Sequence, residues 1–213
     1  MHAMPSAPQP VEGSDISRRS FLYATTAAVG AAGLVAAAWP LIDHLNPDAA
    51  IRASGDLIEA DLADLQPAQP RVLRWHDLPV VVVRRTAAMI DALRDEKLLA
   101  RMADPKSTKR QQPAYAANWH RSIDPAVSVL IGVCTYCACK PDFFAEPLFT
   151  KDAPGGYVCP CCASHFDPAG RPYAGPAQYN LPVPPYEMSK PSRLMIGRNT
   201  SDRSFTLQSI ERM

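Results

Sequence analysis

The sequence predicts a mainly β head carried behind one apolar N-terminal helix. Three observations lead there: an uncharged run from Phe21 to Ile42, a series of short apolar, β-branched stretches after Gly55, and 22 prolines against 10 glycines. That proline count favours turns and extended connections over a helical bundle. The chain has 213 residues and a net charge of +1, which suits one modest globular domain with appendages. Such a balance, with no extended basic run, gives no footing for nucleic acid. No Ser-His-Asp or nucleotide fingerprint occurs at useful spacing.

Residues 1–16 are polar and carry Pro and Ser, the composition of a disordered N-terminus. Residues 17–42 open on Ser17-Arg18-Arg19 and continue into the apolar run. About 20 apolar residues rising ~1.5 Å each span the ~30 Å hydrocarbon core of a bilayer. The run also exceeds the roughly 7–15 apolar residues of a secretory signal. Trp39 suits an interfacial anchor and the arginine pair the cytoplasmic side. Twin arginines before an apolar run resemble a bacterial twin-arginine export signal, a route for proteins already folded around a cofactor. The expectation is a single-pass anchor in a bacterial inner membrane with the head on the periplasmic side. Ala36-Ala37-Ala38 leaves cleavage of the run as an alternative. Residues 43–56, broken by Asn-Pro and Ser-Gly, read as a tether, and residues 57–213 as the head.

Within the head, Val72–Trp75 and Pro79–Arg84 read as two strands joined through His76-Asp-Leu-Pro79. Thr86–Met102 reads as a helix: Met89, Ile90, Leu93, Leu98 and Leu99 keep helical spacing, and Thr86 can cap it. Lys106–Asn118 is polar loop, Val127–Val133 a short apolar strand, and Leu194–Ile196 and Ser204–Leu207 are candidates to close a sheet. His44, His76 and His120 are scattered and read as surface or loop residues. Phe143-Phe144 suits either core packing or a docking rim.

The chemistry lies in six cysteines in two clusters, Cys134-Thr-Tyr-Cys137-Ala-Cys139 and Cys159-Pro-Cys161-Cys162. Two Cys-x-x-Cys knuckles, Cys134/Cys137 and Cys159/Cys162, can close four thiolates around one metal centre. Cys139 and Cys161 are left to pair with each other. Gly155-Gly156 supplies a turn before the second cluster, and Pro160 stiffens its knuckle.

Gly132-Val-Cys-Thr-Tyr-Cys-Ala-Cys139 and Cys159-Pro-Cys-Cys-Ala-Ser-His-Phe-Asp-Pro-Ala-Gly-Arg171 resemble the two cluster-binding boxes of the Rieske iron–sulfur proteins. The segment Gly175–Tyr186, the Val80–Thr86 stretch and the twin-arginine anchor with its tether are similar to that family as well. The resemblance is to the iron–sulfur subunits of bacterial ubiquinol–cytochrome c oxidoreductases. It implies an antiparallel β-sandwich head with a cluster-binding subdomain at about 129–173, a 2Fe–2S cluster near solvent, and cytochrome b and cytochrome c1 type partners.

The family's boxes read Cys-Thr-His-Leu-Gly-Cys and Cys-Pro-Cys-His-Gly-Ser. Two cysteines hold one iron, two histidines hold the other, and the remaining cysteines form a disulfide. Carried over, the cysteine ligands are Cys134 and Cys159 and the disulfide is Cys139–Cys161. The histidine positions hold Tyr136 and Cys162, the leucine is Cys137, and the glycines are Ala138 and Ala163. The expected second pair of ligands is Cys162 with Cys137, with Tyr136 the lesser substitute for Cys137, and Ser164 retained as a hydrogen-bond donor to a cluster sulfur. An all-cysteine cluster would sit near the roughly −400 mV of plant-type ferredoxins, rather than the roughly −150 to +300 mV of histidine-ligated centres. With no imidazole, normal quinol oxidation loses its proton acceptor. The alternatives are a structural zinc site, a mononuclear iron, or a cofactor-less paralogue with a scaffold or assembly role.

Overall fold

Four consecutive valines, Val80 to Val83, form the middle of the central strand, and none is more than 3% exposed. A strand with apolar residues on both faces needs cover on both sides, and this one sits between two neighbours in a three-stranded antiparallel sheet. The computed structural model describes residues 18–44, 57–146, 155–190, 192–198 and 200–212. The chain divides into two units, Met1–Asp48 and Ala49–Met213. In the first, α1 (Arg18–His44) is long and apolar enough to cross a membrane, and it holds Pro40 in its last turns. The expected disordered N-terminus lies outside the described residues, as does the tether beyond His44, since Asp43 and His44 belong to α1.

Among the described residues, the second unit contains ten strands in three antiparallel sheets. One joins β2 (Pro70–Trp75), β3 (Leu78–Arg84) and β4 (Val127–Ile131). Another joins β1 (Ile58–Asp61), β10 (Arg193–Ile196) and β9 (Tyr186–Lys190). The third, smaller sheet runs β5 (Asp142–Phe144), β6 (Gly156–Val158), β7 (His165–Phe166) and β8 (Pro172–Ala174). Leu130, Leu181, Leu194, Tyr157 and Phe166 belong to one continuous core shared by all three sheets, together with Cys134 and Cys159.

Local chemistry sets the connections. β2 and β3 meet through two residues, His76 and Asp77, both with positive φ (46° and 61°), so strand β3 already begins at Leu78. Paired positive φ values are what a tight hairpin needs. Gly156 opens β6 where a Cβ would lie 2.2 Å from the carbonyl oxygen of Phe166, so only glycine permits that approach.

Two sequence expectations need correction. The Thr86–Met102 helix is two short ones, α2 (Ala87–Ala92) and α3 (Glu96–Leu99). Thr86 caps the first, while Asp95 turns extended and caps the second through Lys97 N–H. Ser204–Leu207 is no strand: Asp202 accepts from Ser204, and Thr206 begins a 3-10 turn closed by Ser209. His120 lies in a loop, as read, but is buried there, with Nδ1 2.8 Å from Ser122 Oγ.

Candidate metal centre

Each cysteine cluster folds into a knuckle of the same construction. In the first, Ala138 N–H donates to Cys134 O (2.8 Å) and Cys134 N–H to Cys139 O (2.8 Å). In the second, Ala163 N–H donates to Cys159 O (2.9 Å) and Cys159 N–H to Ser164 O (2.9 Å). The turns are left-handed at Ala138 (φ 59°) and Ala163 (φ 52°). Backbone N–H groups of Tyr136 and Cys137 donate to Cys134 Sγ, and those of Cys161 and Cys162 to Cys159 Sγ.

The knuckles face each other. The Sγ atoms of Cys134, Cys137, Cys159 and Cys162 all lie within 4.8 Å of one another. Cys137 and Cys159 lie 3.3 Å apart and Cys134 and Cys162 3.6 Å. Cys134 and Cys159 are buried, whereas Cys137 and Cys162 are half-buried at the outer side. Beside this group Cys139 and Cys161 form a disulfide with Cα atoms 6.4 Å apart, which ties one knuckle loop to the other.

Burial pushes the Cys134 thiol up to about 12 and raises Cys159 as well. Burial also acts upward on Cys162, but the side chain and backbone of Ser164 outweigh it and bring that thiol down to about 7. The Ser164 hydroxyl accepts from Ala177 N–H (3.1 Å), which leaves its own proton for Cys162 Sγ at 3.2 Å. Gly175 brings that third loop in: a Cβ there would lie 2.6 Å from Ser164 Cα, and its φ is 88°. Thr135 Oγ1 donates to Tyr179 O (2.8 Å), docking the first knuckle on the same loop.

Tyr136 is 57% exposed. Among the described residues, the groups that could hold a metal are made of cysteine alone. A donor set of two thiolates and two imidazoles therefore does not fit here; four thiolates suit zinc or iron. Phe143 packs edge-to-face on Tyr157, ring centroids 5.1 Å apart, and joins the core.

Sequence reasoning missed the buried arginines that hold the loop behind the second knuckle. Arg85 Nε donates to Pro168 O (3.1 Å), Arg121 Nη1 to Ala169 O (2.8 Å), and Arg171 pairs with Asp167 at 2.6 Å. Arg121 and Arg171 are fully buried. No pattern in a single sequence separates such arginines from the exposed ones, because each is satisfied by carbonyl groups far away in the chain.

The family described as ubiquitinol-cytochrome C reductase Fe-S subunit TAT signal matches residues 8–48. Over 198 residues the chain is 37% identical to the ubiquinol-cytochrome c reductase iron-sulfur subunit of Allochromatium vinosum, covering 90% of this chain and 94% of that one. The subunit of the same name from Rhodospirillum rubrum is 37% identical over 191 residues, covering 87% and 94%. Among solved structures, a chain of a hyperthermophilic respiratory Complex III aligns with a TM-score of 0.44 at 22% identity, covering 82% of this chain and 99% of that chain. Sequence similarity of this extent places the chain in the family of ubiquinol–cytochrome c reductase iron–sulfur subunits.

Proposed function

We propose that this chain is a membrane-anchored electron-transfer subunit of a ubiquinol–cytochrome c reductase type complex, with its redox centre held by Cys134, Cys137, Cys159 and Cys162 in place of the family's mixed ligand set. The convergence of those four thiols within 4.8 Å is the observation that carries the reading. When bound, iron in thiolate ligation supplies one-electron exchange.

The chain's own residues do the rest. Cys134 and Cys159 anchor the centre from the buried side, while Cys137 and Cys162 lie on the accessible side where a partner can approach. Ser164 and the backbone N–H groups at the knuckles stabilise thiolate charge by hydrogen bonding. The Cys139–Cys161 disulfide and the three arginines hold both loops in register without a metal ligand of their own. Residues 17–42 form the export signal and anchor, the head lies on the periplasmic side, and the partners are cytochrome b and cytochrome c1 type subunits.

Among the described residues no histidine belongs to the group that could hold the metal, and Tyr136 is exposed. A phenol does not replace an imidazole as the acceptor of a quinol proton. The reading therefore has the head exchanging electrons without proton-coupled quinol oxidation. Potentiometric titration of the full chain in detergent tests it. A one-electron couple is expected, with slow reduction by quinol. Absence of any redox-active centre, or quinol reduction at the rate of a histidine-ligated relative, would overturn it.

A further inference from the structure

The two knuckles match each other in backbone and, in this chain, in the position of their cysteines. With Cys137 and Cys162 in place, each reads Cys-x-x-Cys-Ala, each turns left-handed at the alanine, and each returns the alanine N–H to the first cysteine's carbonyl. In each, the first cysteine's Sγ accepts N–H groups from the second and third residues after it. Two like-built loops facing each other supply four thiolates with approximate two-fold symmetry, which is the arrangement one tetrahedral ion requires.

The distances agree. A metal–sulfur length of about 2.3 Å gives a tetrahedron with edges of about 3.8 Å. The observed Sγ separations run from 3.3 and 3.6 Å to an upper limit of 4.8 Å for every pair. A two-iron cluster divides its thiolates into two pairs and holds opposite pairs apart by the spacing between the irons. The family's arrangement would put Cys134 with Cys159 on one iron and leave Cys137 with Cys162 for the other. Close contacts instead cross those pairs, Cys134 to Cys162 at 3.6 Å and Cys137 to Cys159 at 3.3 Å, and every sulfur lies within 4.8 Å of the other three. Neither way of pairing leaves two sulfurs well separated from the other two.

We infer that the head holds one metal ion in a mononuclear tetrathiolate centre formed by Cys134, Cys137, Cys159 and Cys162. The choice of iron as that ion rests on the electron-transfer reading above, whereas the nuclearity rests on the sulfur geometry. Loss of the two histidines then does more than alter the ligands of a cluster: it replaces an asymmetric two-iron site with a symmetric one-ion site. The disulfide next to it keeps its place in both arrangements.

The test is metal and acid-labile sulfide analysis of the full-length chain, purified anaerobically in detergent, with X-ray absorption spectroscopy on the same sample. One ion per chain is expected, with no labile sulfide, one shell of four sulfurs at about 2.3 Å and no metal–metal scattering. If the ion is iron, oxidation should give the high-spin ferric signal of a tetrahedral tetrathiolate. Two irons, two sulfides and an iron–iron scattering path would overturn the inference and leave the electron-transfer reading standing. One zinc without sulfide would support the inference and sink the electron-transfer reading. A chain that contains no metal and takes up neither ferrous iron nor zinc would overturn both.

Discussion

Ala138 and Ala163 occupy equivalent turns of the two knuckles, at φ 59° and 52°, and each gives its N–H to the carbonyl of its knuckle's first cysteine. An L-residue in the left-handed region carries roughly 1–2 kcal/mol of strain that glycine does not. Alanine recovers roughly 0.4–1 kcal/mol of this by restricting the unfolded chain. Ala138→Gly and Ala163→Gly should therefore each stabilise the metal-loaded head by about 0.5–1 kcal/mol. Denaturant midpoints read this directly, and a lower midpoint in either variant would contradict it.

Much of the site was legible because its signal is local. Cysteine spacing marks a knuckle whatever surrounds it, so Cys134, Cys137, Cys159 and Cys162 stand out in the bare chain. The valine run of β3 and the Thr86 cap were readable for the same reason. What the sequence hid depends on distant partners. His120 is a loop histidine, but its burial, with Ser122 on its ring and Arg85 on its carbonyl, has no local signal. The helical spacing across Thr86–Met102 was real, but Asp95 prefers a cap to a helix interior and divides it. At Ser204–Leu207 the pairing of Thr206 with Ser209 was a capping signal that β propensity obscured.

Asp167 and Arg171 form a fully buried ion pair behind the second knuckle, and Arg171 also donates to the carbonyls of Leu93 (2.8 Å) and Pro105 (3.1 Å). Removing one partner strands the other charge out of water, at a cost of about 3–5 kcal/mol. Arg171→Met should lose that much stability in urea unfolding. Adding Asp167→Asn should recover part of it, since the orphaned charge goes but the two carbonyls stay unpaired. A double variant no more stable than Arg171→Met would show that the charge pairing is not what matters.

Burial lowers the His120 pKa, and the neighbouring Arg85 and Arg94 lower it further, against a smaller upward pull from Asp124. The folded head thus favours neutral imidazole, while the unfolded chain takes up its proton near the ordinary value of about 6.5. The contribution to stability is complete above that value and is lost as pH falls from there toward the lower native pKa. His165, lowered by burial and Arg101, adds in the same direction. Denaturant midpoints should fall between about pH 7.5 and pH 5.5, a range that spans the histidine value. The fall should be shallower in His120→Asn; an unchanged slope would remove His120 from the account.

Restoring the family's boxes tests whether ligand identity alone sets the centre. The variant Tyr136→His, Cys137→Leu, Cys162→His rebuilds Cys-Thr-His-Leu and Cys-Pro-Cys-His around the untouched Cys139–Cys161 disulfide. Ala138→Gly and Ala163→Gly complete the boxes and relieve the two left-handed turns. The loop behind the second knuckle, held by Arg85, Arg121 and Arg171, does not depend on which atoms bind metal, so the altered head should still fold. Exchanging two thiolates for neutral imidazoles removes negative charge from the centre and favours its reduction. The variant should bind two irons and two sulfides, show the low average g of nitrogen-ligated centres, and move its potential into the roughly −150 to +300 mV range. Quinol-driven reduction should then accelerate, because an imidazole is again available to accept the proton. A variant that folds, judged by an unchanged disulfide and near-UV circular dichroism, yet assembles no nitrogen-ligated cluster would show that the chain has departed from its family beyond the ligands themselves.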